Sequence, residues 1–503
     1  MTAVLIIGAI AAWSLATLRW LRVAQREHYI PGSVTRFARR WWLTRPPNPA
    51  LAGLAVVGLA SGVVAPWLTA APIMVLAAAP VGLGVRGRSS PLHWTSRLRN
   101  VAIAAGTLEV GLLAVAARTS IPATIATLSA ALAPMLVDVA LAMLRPIETR
   151  MSEHFVSQAQ ARLRSVQPVV VAVTGSYGKT STKEHIHDLI MGAREVVASP
   201  ASFNNRLGLA KTINDHVHPG TEVLVAEVGT YGLGEIAAIG SWLKPSVSVL
   251  TAVGPVHLER FGSLEAIAEA KAEIFEGADT LVVNADDPLV MLGAERATGR
   301  LVRCSSEDPA ADVFVRSDGC GGLTVRVAGE RLPPAPGHLF PMNVACAIGA
   351  ATALGVPNER IARQLPALSS PAHRQAIIRV ENGPVVIDDS YNANPAGAAA
   401  ALERLTTLAS QGGRRIVVTP GLIELGDRQA TENYVFAQRA ASVATEMIIV
   451  HTTNRKPLLE GAAHGGATLH WLPTRDQAAS WVAAHASPGD VVLYENDLPD
   501  HYP

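Results

Sequence analysis

The sequence predicts an apolar, helical N-terminal third followed by two α/β domains with parallel sheets. Apolar residues dominate the first 145 of 503 positions, whereas charges are spread through the remainder. In that remainder, short apolar runs typical of buried strands alternate with helical stretches, as in doubly wound α/β proteins. We therefore expect a helical domain over 1–145, a linker over 146–166, a central domain over 167–366 and a C-terminal Rossmann-like domain over 367–503.

The net charge and the cysteine content argue against several kinds of protein and site. The formal net charge is only +1, and no basic face is evident after residue 165, which argues against a nucleic-acid partner. The three cysteines (Cys304, Cys320 and Cys346) are odd in number and lack metal-ligand spacing. They indicate a reducing compartment, without a disulfide framework or a structural zinc.

The apolar third predicts membrane spans. Residues 3–18 form one run, and the runs over about 50–85 and 101–144 are each long enough for two short spans. Arginines between the runs set the orientation, because Arg and Lys near span ends stay in the cytoplasm. The sequence thus predicts a multi-pass cell-membrane protein with five spans, a membrane-lipid partner and cytoplasmic catalytic domains. A buried helical bundle in a soluble protein is the alternative. Glu109 lies inside the fourth predicted span, where pairing within the bundle is favoured over a substrate-pathway role.

A phosphate-binding loop follows the first strand run of the central domain. Residues 168–174 (PVVVAVT) predict a buried strand, and the chain then turns through glycines into a helical pattern. Backbone N–H groups and the helix N-terminus would face phosphates, Lys179 would reach the β and γ groups, and Thr180 would ligate Mg²⁺. Val173 stands where the general pattern has its first glycine. ATP and Mg are the predicted cofactors, and the candidate nucleotide-binding residues are Gly175, Ser176, Gly178, Lys179, Thr180 and Ser181.

The sequence of this loop, TGSYGKT over 174–180, resembles the phosphate-binding loop of the Mur ligase family. Further segments continue the resemblance in order: 202–208 (SFNNRLG), 226–236 (AEVGTYGLGEI), 251–276 (TAVGPVHLERFGSLEAIAEAKAEIFE), 281–288 (LVVNADDP), 337–343 (GHLFPMN) and 387–395 (IDDSYNANP). An ordered series is much more specific than any single motif. The last segment is similar to the branch that adds D-alanyl-D-alanine to the muramoyl tripeptide in peptidoglycan precursor synthesis.

The resemblance implies a P-loop Mur ligase central domain and an ATP-dependent, ADP-forming peptide ligase. A carboxylate would accept the γ-phosphoryl group of ATP, and an amine (an amino acid or dipeptide) would open the acyl phosphate. Thr180 and Glu227 would hold one Mg²⁺, and His257 and a carbamylated Lys271 a second. Lys179, Glu227, His257 and Lys271 are the implied catalytic residues.

Further roles come from the same resemblance. Asn284 and Asp286 would hydrogen-bond adenine or ribose, and the third domain would close over ATP. The other implied positions are His338 and Asn343 near the base, Arg374 and Asp389 from the third domain, and Tyr391, Asn392 and Asn394 near the substrate.

The sequence also departs from the family. Membrane spans occupy the region where members carry a uridine-binding domain. Glu495, Asn496 and Asp497 stand where a Lys-Gly-Ser stretch is expected, and no histidine follows the Glu-Leu-Gly loop of 415–427, where Asn433 is the nearest polar residue. A membrane-bound poly-γ-glutamate-type synthase therefore stays open, as do an ATP-driven membrane transporter and a non-catalytic nucleotide-binding scaffold.

Overall fold

The computed structural model describes residues 1–44, 46–85, 92–200, 203–256, 258–371, 374–391, 393–409 and 412–498. The chain divides into two compact units. Among the described residues, one comprises Met1–Met151 with Leu498, and the other comprises Ser152–Asp497.

The described residues of the N-terminal unit form helices and turns. The helices are α1 (Thr2–Arg26), α2 (Ser33–Thr44), α3 (Asn48–Gly62), α4 (Ala70–Ala78), α5 (Ser96–Ala116), α6 (Pro122–Ala131) and α7 (Ala133–Val166), with a 3-10 turn at Pro66–Thr69. The last helix extends into the second unit and contains the residues 146–166 that were expected to form a linker. Glu109 pairs within the unit, where the Ser129 hydroxyl donates a hydrogen bond of 2.7 Å to it.

The predicted five-span cell-membrane topology is wrong. Among the described residues, two helices, α1 and α5, are long and apolar enough to cross a membrane. A third candidate span is obtained only if α6 and α7, which meet at a bend of 66°, are counted together as one span. Pro66 breaks the run over 50–85 into helices of 15 and 9 residues, whereas a span needs about 20. The predicted orientation, with cytoplasmic catalytic domains, depended on that topology and is not supported. The predicted membrane-lipid partner is not shown.

The central part of the second unit is built on a nine-stranded sheet. Its strands are β1 (Val169–Thr174), β2 (Val196–Ala198), β3 (Val223–Glu227), β4 (Val247–Leu250), β5 (Thr280–Asn284), β6 (Arg300–Ser305), β7 (Val313–Ser317), β8 (Gly322–Val327) and β9 (Glu330–Pro336). Their order is β2-β3-β1-β4-β5-β6-β7-β8-β9. Strands β1 to β7 pair in parallel, and β8 and β9 add an antiparallel edge.

Helices cover both faces of this sheet. They are α8 (Lys179–Ile190), α9 (Arg206–His216), α10 (Glu235–Leu243), α11 (Leu258–Phe261), α12 (Leu264–Ala272), α13 (Pro288–Ala294), α14 (Pro341–Ala353) and α15 (Asn358–Gln364), with 3-10 turns at Glu273–Phe275 and Leu365–Ala367. Strand β1 is a continuous Val/Ala run because a parallel strand is buried on both faces. Val171 and Val173 pack on the side of α8, and Val170 and Ala172 on the side of α9.

The C-terminal part carries a second, six-stranded sheet. Its strands are β10 (Ala376–Arg379), β11 (Val385–Asp389), β12 (Arg415–Thr419), β13 (Glu446–Val450), β14 (Thr468–Leu472) and β15 (Val491–Glu495), in the order β10-β11-β15-β12-β13-β14. Edge strand β10 is antiparallel and the others are parallel. The helices are α16 (Pro395–Leu408), α17 (Gln429–Val443), α18 (Arg455–Ala462) and α19 (Arg475–His485), with a 3-10 turn at Gly426–Arg428.

These two sheets confirm the predicted α/β fold class. Because the carboxyl ends of parallel strands meet at one edge, the residues that follow β1, β3, β4 and β5 are brought together. The candidate site lies at that edge.

Candidate nucleotide-binding site

The loop between β1 and α8 has the backbone geometry that its glycines predict. Gly175 and Gly178 adopt φ values of +151° and +78°, which L side chains rarely adopt. A Cβ atom would collide with the Thr251 hydroxyl at the first position and with the Asn343 side chain at the second. Glycine is therefore required at both positions, and helix α8 begins directly after them with its N-terminal amides at the loop.

Lys179 folds back over this loop. Its Nζ donates hydrogen bonds to the carbonyl oxygens of Gly175 at 2.7 Å and Ser176 at 3.4 Å. Burial lowers the pKa of Lys179, while Glu227 acts to raise it and Arg374 to lower it. The ammonium group thus lies where a loop-bound phosphate would meet it.

Glu227 ends β3 beside the loop. Thr180 Oγ1 donates to Glu227 Oε2 at 2.9 Å, and Asn204 Nδ2 donates to the other carboxylate oxygen at 3.1 Å. Only 2% of Glu227 is exposed. A hydroxyl and a buried carboxylate that converge in this way offer the hard oxygen ligands that Mg²⁺ prefers.

The remaining Mg²⁺ ligands would come from elsewhere. No group of three or more His, Cys, Asp or Glu residues in the described part of the chain is arranged to hold a metal ion. Magnesium is commonly held by one or two protein groups together with substrate phosphates and water. The Thr180–Glu227 pair at the mouth of the phosphate loop fits that mode.

Lys183 is a residue of this site that the sequence analysis missed. It lies one helical turn beyond Thr180 and is fully buried. Its Nζ donates to the Ser199 carbonyl oxygen at 2.7 Å and lies 3.0 Å from Glu184 and 4.0 Å from Glu227. The available signal was its i+3 spacing from Thr180, which places both side chains on one helix face.

Lys271 is buried near the same loop. Burial lowers its pKa well below the usual value, and the charge of Lys179 lowers it further, against the opposing effect of Glu235, Glu227 and Glu273. A low pKa leaves a fraction of the amine neutral, the form that reacts with carbon dioxide. His257, its predicted partner in holding a second cation, lies outside the described residues.

A cleft of about 320 Å³ opens beside the phosphate loop, between the central and C-terminal parts. Of the predicted residues, it is lined by Gly178, Ser181, Asn284, His338, Asn343, Arg374, Asp389 and Asn394. Tyr391 is exposed, with the Arg374 guanidinium 5.1 Å from its ring centroid, and Asn392 lies outside the described residues. Residues far apart in sequence thus share one cavity.

Other predicted residues make bonds within the protein. Asp286 accepts hydrogen bonds from the backbone N–H of Ser306 at 2.8 Å and from its hydroxyl at 2.7 Å. Asn433 accepts from the Leu422 N–H at 2.8 Å and donates to its carbonyl oxygen at 2.9 Å, which braces the Glu-Leu-Gly loop.

Two carboxyl groups end adjacent strands on the C-terminal side of the cleft. Asp389 of β11 is paired in register with Glu495 of β15. Burial raises the pKa of Asp389 to about 6, while a hydrogen bond from Gln375 and the charge of Arg374 act in the opposite direction. Burial and the neighbouring Asp389 raise the pKa of Glu495 well above its usual range. Asp389, which lines the cleft, and the buried Glu495 beside it therefore retain protons more readily than exposed carboxyl groups do.

Comparison with known proteins identifies the two α/β parts. Residues 173–351 match the sequence model of the Mur ligase middle domain, and residues 373–494 match that of the Mur ligase glutamate ligase domain. Neither match includes residues 1–172.

Individual relatives agree with this assignment. The UDP-N-acetylmuramoyl-tripeptide--D-alanyl-D-alanine ligase of Mycobacterium tuberculosis is 33% identical over 342 residues, which are 64% of this chain and 66% of that relative. The enzyme of the same name from Bacillus subtilis is 28% identical over 344 residues, 67% of this chain and 75% of that relative. This chain thus covers slightly less than two thirds of the length of the mycobacterial relative.

Solved structures show a fold likeness of similar extent. The crystal structure of the MurF ligase from Thermotoga maritima in complex with ADP superposes with a TM-score of 0.59 and 26% identity, covering 69% of this chain and 80% of that one. Through its middle and C-terminal domains, the chain belongs to the Mur ligase family.

Proposed function

We propose that this chain is an ATP-dependent, ADP-forming peptide ligase that joins D-alanyl-D-alanine to a UDP-muramoyl tripeptide. The observation that carries the proposal is the hydrogen bond between Thr180 and the buried Glu227 beside the loop covered by Lys179. That arrangement suits a triphosphate whose charge is neutralised by an ammonium group and Mg²⁺. The names of the mycobacterial and Bacillus relatives support the choice of substrates.

The reaction has two balanced steps. A carboxylate oxygen of the tripeptide attacks the γ-phosphorus, the bond to the β-γ bridging oxygen breaks, and ADP leaves with an acyl phosphate formed. The amine nitrogen of D-alanyl-D-alanine then attacks the acyl carbon, inorganic phosphate leaves, and the nitrogen loses a proton. Most of the catalytic effect comes from positioning and charge neutralisation.

The side chains have distinct tasks in this scheme. Lys179 would face the β- and γ-phosphates, and Thr180 and Glu227 would hold the Mg²⁺ ion, which withdraws negative charge from the phosphates when bound. Lys183 would place a positive charge beside the buried Glu227 carboxylate. Arg374 would bring a positive charge to the cleft from the C-terminal domain.

Three further assignments belong to the proposal. Lys271 carries a carbamate and, with His257, holds a second cation. The chain divides at 145, 166 and 366 into helical, linker, central and C-terminal parts, in keeping with matches to the two family domains over 173–351 and 373–494. Asn343 and His338, which line the cleft, lie near the nucleotide.

The competing readings are less well supported. Neither a transporter nor a scaffold requires a buried lysine such as Lys271, whose pKa is affected by the charges of Glu235, Glu227 and Glu273. A poly-γ-glutamate-type synthase would share the ATP site and differ in its amine, so the identity of the product separates the two ligases.

The test incubates the purified full-length chain with ATP, Mg²⁺, UDP-muramoyl tripeptide and D-alanyl-D-alanine, and measures phosphate release and product mass. Phosphate release should require both acceptor and amine, and the product should have the summed mass less one water. Lys179→Ala is the inactive control, and Lys211→Ala, at an exposed helix position, is its matched active control. Phosphate release that is indifferent to both substrates would refute the ligase. A product formed only with glutamate would favour the poly-γ-glutamate alternative.

A further inference from the structure

His185 is a cleft residue to which neither the motifs nor the proposed reaction assigns a role. It lies on α8 one turn after Ser181, and both side chains line the cleft beside the phosphate loop. Residues spaced i and i+4 share a helix face, so a molecule that extends from the loop along this face meets Ser181 and then His185.

The ring of His185 is almost completely buried, with 1% of the residue exposed. Its Nδ1 atom has no hydrogen-bond partner among the described residues. Buried polar atoms are nearly always paired, so an unpaired one in a cavity wall points to a group supplied from outside the chain or to a tautomer that leaves this atom as a bare acceptor.

The protonation state of the ring follows from its surroundings. Burial lowers the pKa of His185 to about 4, with Asp188 acting to raise it and His338 to lower it further. At neutral pH the imidazole is therefore uncharged and carries one N–H. A buried acceptor without a partner is tolerated better than a buried N–H without one, which places the proton on Nε2.

Two other polar residues of the cleft wall, Asn284 and Asp287, already make hydrogen bonds within the protein. Asn284 donates to the Thr251 carbonyl oxygen at 2.9 Å and accepts from the Asp286 N–H at 3.0 Å. Asp287 accepts from the Val253 N–H at 2.7 Å and caps α13 through the Leu289 N–H at 3.0 Å. Asn284 therefore keeps one N–H donor and one acceptor lone pair for a ligand, and Asp287 offers acceptors only.

We propose that His185 donates a hydrogen bond from Nε2 to a ring nitrogen of the bound purine, and so contributes to the affinity for the nucleotide. The phosphates lie at the loop, so the nucleoside occupies the adjoining cleft, whose wall contains His185. An N–H donor complements the N1, N3 or N7 acceptors of adenine. Guanine has the same acceptors at N3 and N7 and an N–H at N1, so only a bond to N1 would distinguish the two bases. The proposal rests on the proposed use of ATP.

The experiment compares binding of ATP, 1-deaza-ATP, 3-deaza-ATP and 7-deaza-ATP with Mg²⁺ to the full-length chain by titration calorimetry, without carboxylate or amine. One analogue should bind the wild type about tenfold more weakly than ATP, as expected for the loss of one hydrogen bond. His185→Phe, which keeps an aromatic ring in the wall, should bind ATP about tenfold more weakly and show no additional loss with that analogue.

Two variants control for structural effects. His185→Gln retains an N–H close to the position of Nε2 and should recover most of the affinity. His187→Phe, on the same helix but outside the cleft lining, should bind all four nucleotides as the wild type does. A melting temperature for each variant separates loss of fold from loss of the bond.

The outcomes are distinct. If each analogue loses the same affinity relative to ATP in His185→Phe as in the wild type, the role of His185 is overturned, while the ATP site remains supported. A wild type that binds all four nucleotides equally would overturn it without reference to any variant. A wild type that binds no ATP at all would instead refute the proposed function.

Discussion

The hydroxyl of Thr180 donates a hydrogen bond of 2.9 Å to the carboxylate of Glu227, although 47 positions separate the two residues. Strand β3 lies parallel to β1, and Val173 is paired in register with Glu227. The phosphate loop that follows β1 therefore starts beside the residue that ends β3. This register sets where a cation can sit, and the first two predictions depend on it.

Glu227→Gln should weaken the binding of Mg²⁺ while leaving the fold intact. The amide keeps the shape of the side chain and can still accept from Thr180, but it supplies no negative charge. We expect the Mg²⁺ concentration at half-maximal ATP turnover to rise at least about tenfold. Glu265→Gln, at an exposed position in the first turn of α12, is the control. An unchanged Mg²⁺ titration would remove Glu227 from the cation site.

Lys183→Met should make the stability of the chain depend on Mg²⁺. The substitution leaves the buried Glu227 without the ammonium group 4.0 Å away, and breaking a buried charge pair typically costs about 3 kcal/mol. A bound Mg²⁺ ion would restore positive charge beside Glu227. We therefore expect a lower melting temperature than the wild type in chelator and a larger upward shift on adding Mg²⁺ with a nucleotide. Lys211→Met, at an exposed lysine, should show neither effect.

Lys271→Ala should lose ligase activity, by about a hundredfold or more. The low pKa of the buried Lys271 favours carbamate formation, and the carbamate would supply the oxygen ligands that alanine lacks. A short carboxylic acid such as acetate should restore part of the rate, because it can occupy the space of the carbamate. Lys244→Ala, at the exposed end of α10, should keep the wild-type rate. Full activity in Lys271→Ala without any added acid would contradict the carbamate.

Asp389→Asn should stabilise the protein more at pH 8 than at pH 5. The folded-state pKa of Asp389 is about 6, above its usual value of 3.8, so the folded state binds this proton more tightly than the unfolded state does. Stability contributed by this group is thus present at low pH and is lost as pH rises from about 4 to about 6. At pH 8 the cost is about 3 kcal/mol, and roughly half of it is present at pH 5.

The measurement is the free energy of unfolding in denaturant at the two pH values. The gain from Asp389→Asn should be about 1 kcal/mol larger at pH 8. Asp427→Asn, at an exposed carboxylate, provides the comparison. A gain that is the same at both pH values would show that the carboxyl group titrates normally.

Much of the second unit follows from local sequence signals. In the C-terminal domain, the apolar runs over 384–388, 415–419, 446–450 and 490–494 predict strands, and they coincide within one residue with β11, β12, β13 and β15. These are central strands, whose continuous apolar runs are unambiguous because both faces are buried. The edge strands β10 and β14 were not predicted, since a strand with one neighbour is only partly buried and has a mixed pattern.

The N-terminal third shows the limit of hydropathy. The run over 50–85 is apolar throughout, yet helix α3 ends at Gly62 and α4 is only nine residues long. Pro66 and Pro72 predict a turn within this run, since proline lacks an N–H and cannot continue the hydrogen-bond ladder, but mean hydropathy does not give the lengths of the helices on either side. The number of candidate spans therefore depends on where the helices end.

The sequence by itself determined the phosphate loop, the two parallel sheets and the family, because each depends on local conformational preference or on motifs in a fixed order. Only the tertiary structure revealed the buried Lys183 beside Glu227, the hydrogen bond from Asn284 to the Thr251 carbonyl oxygen and the unpaired nitrogen of His185. The physical reason is that the cost of a buried polar atom depends on the partners that other segments bring to it. Those partners are set by strand register and helix packing, which no short stretch of residues encodes.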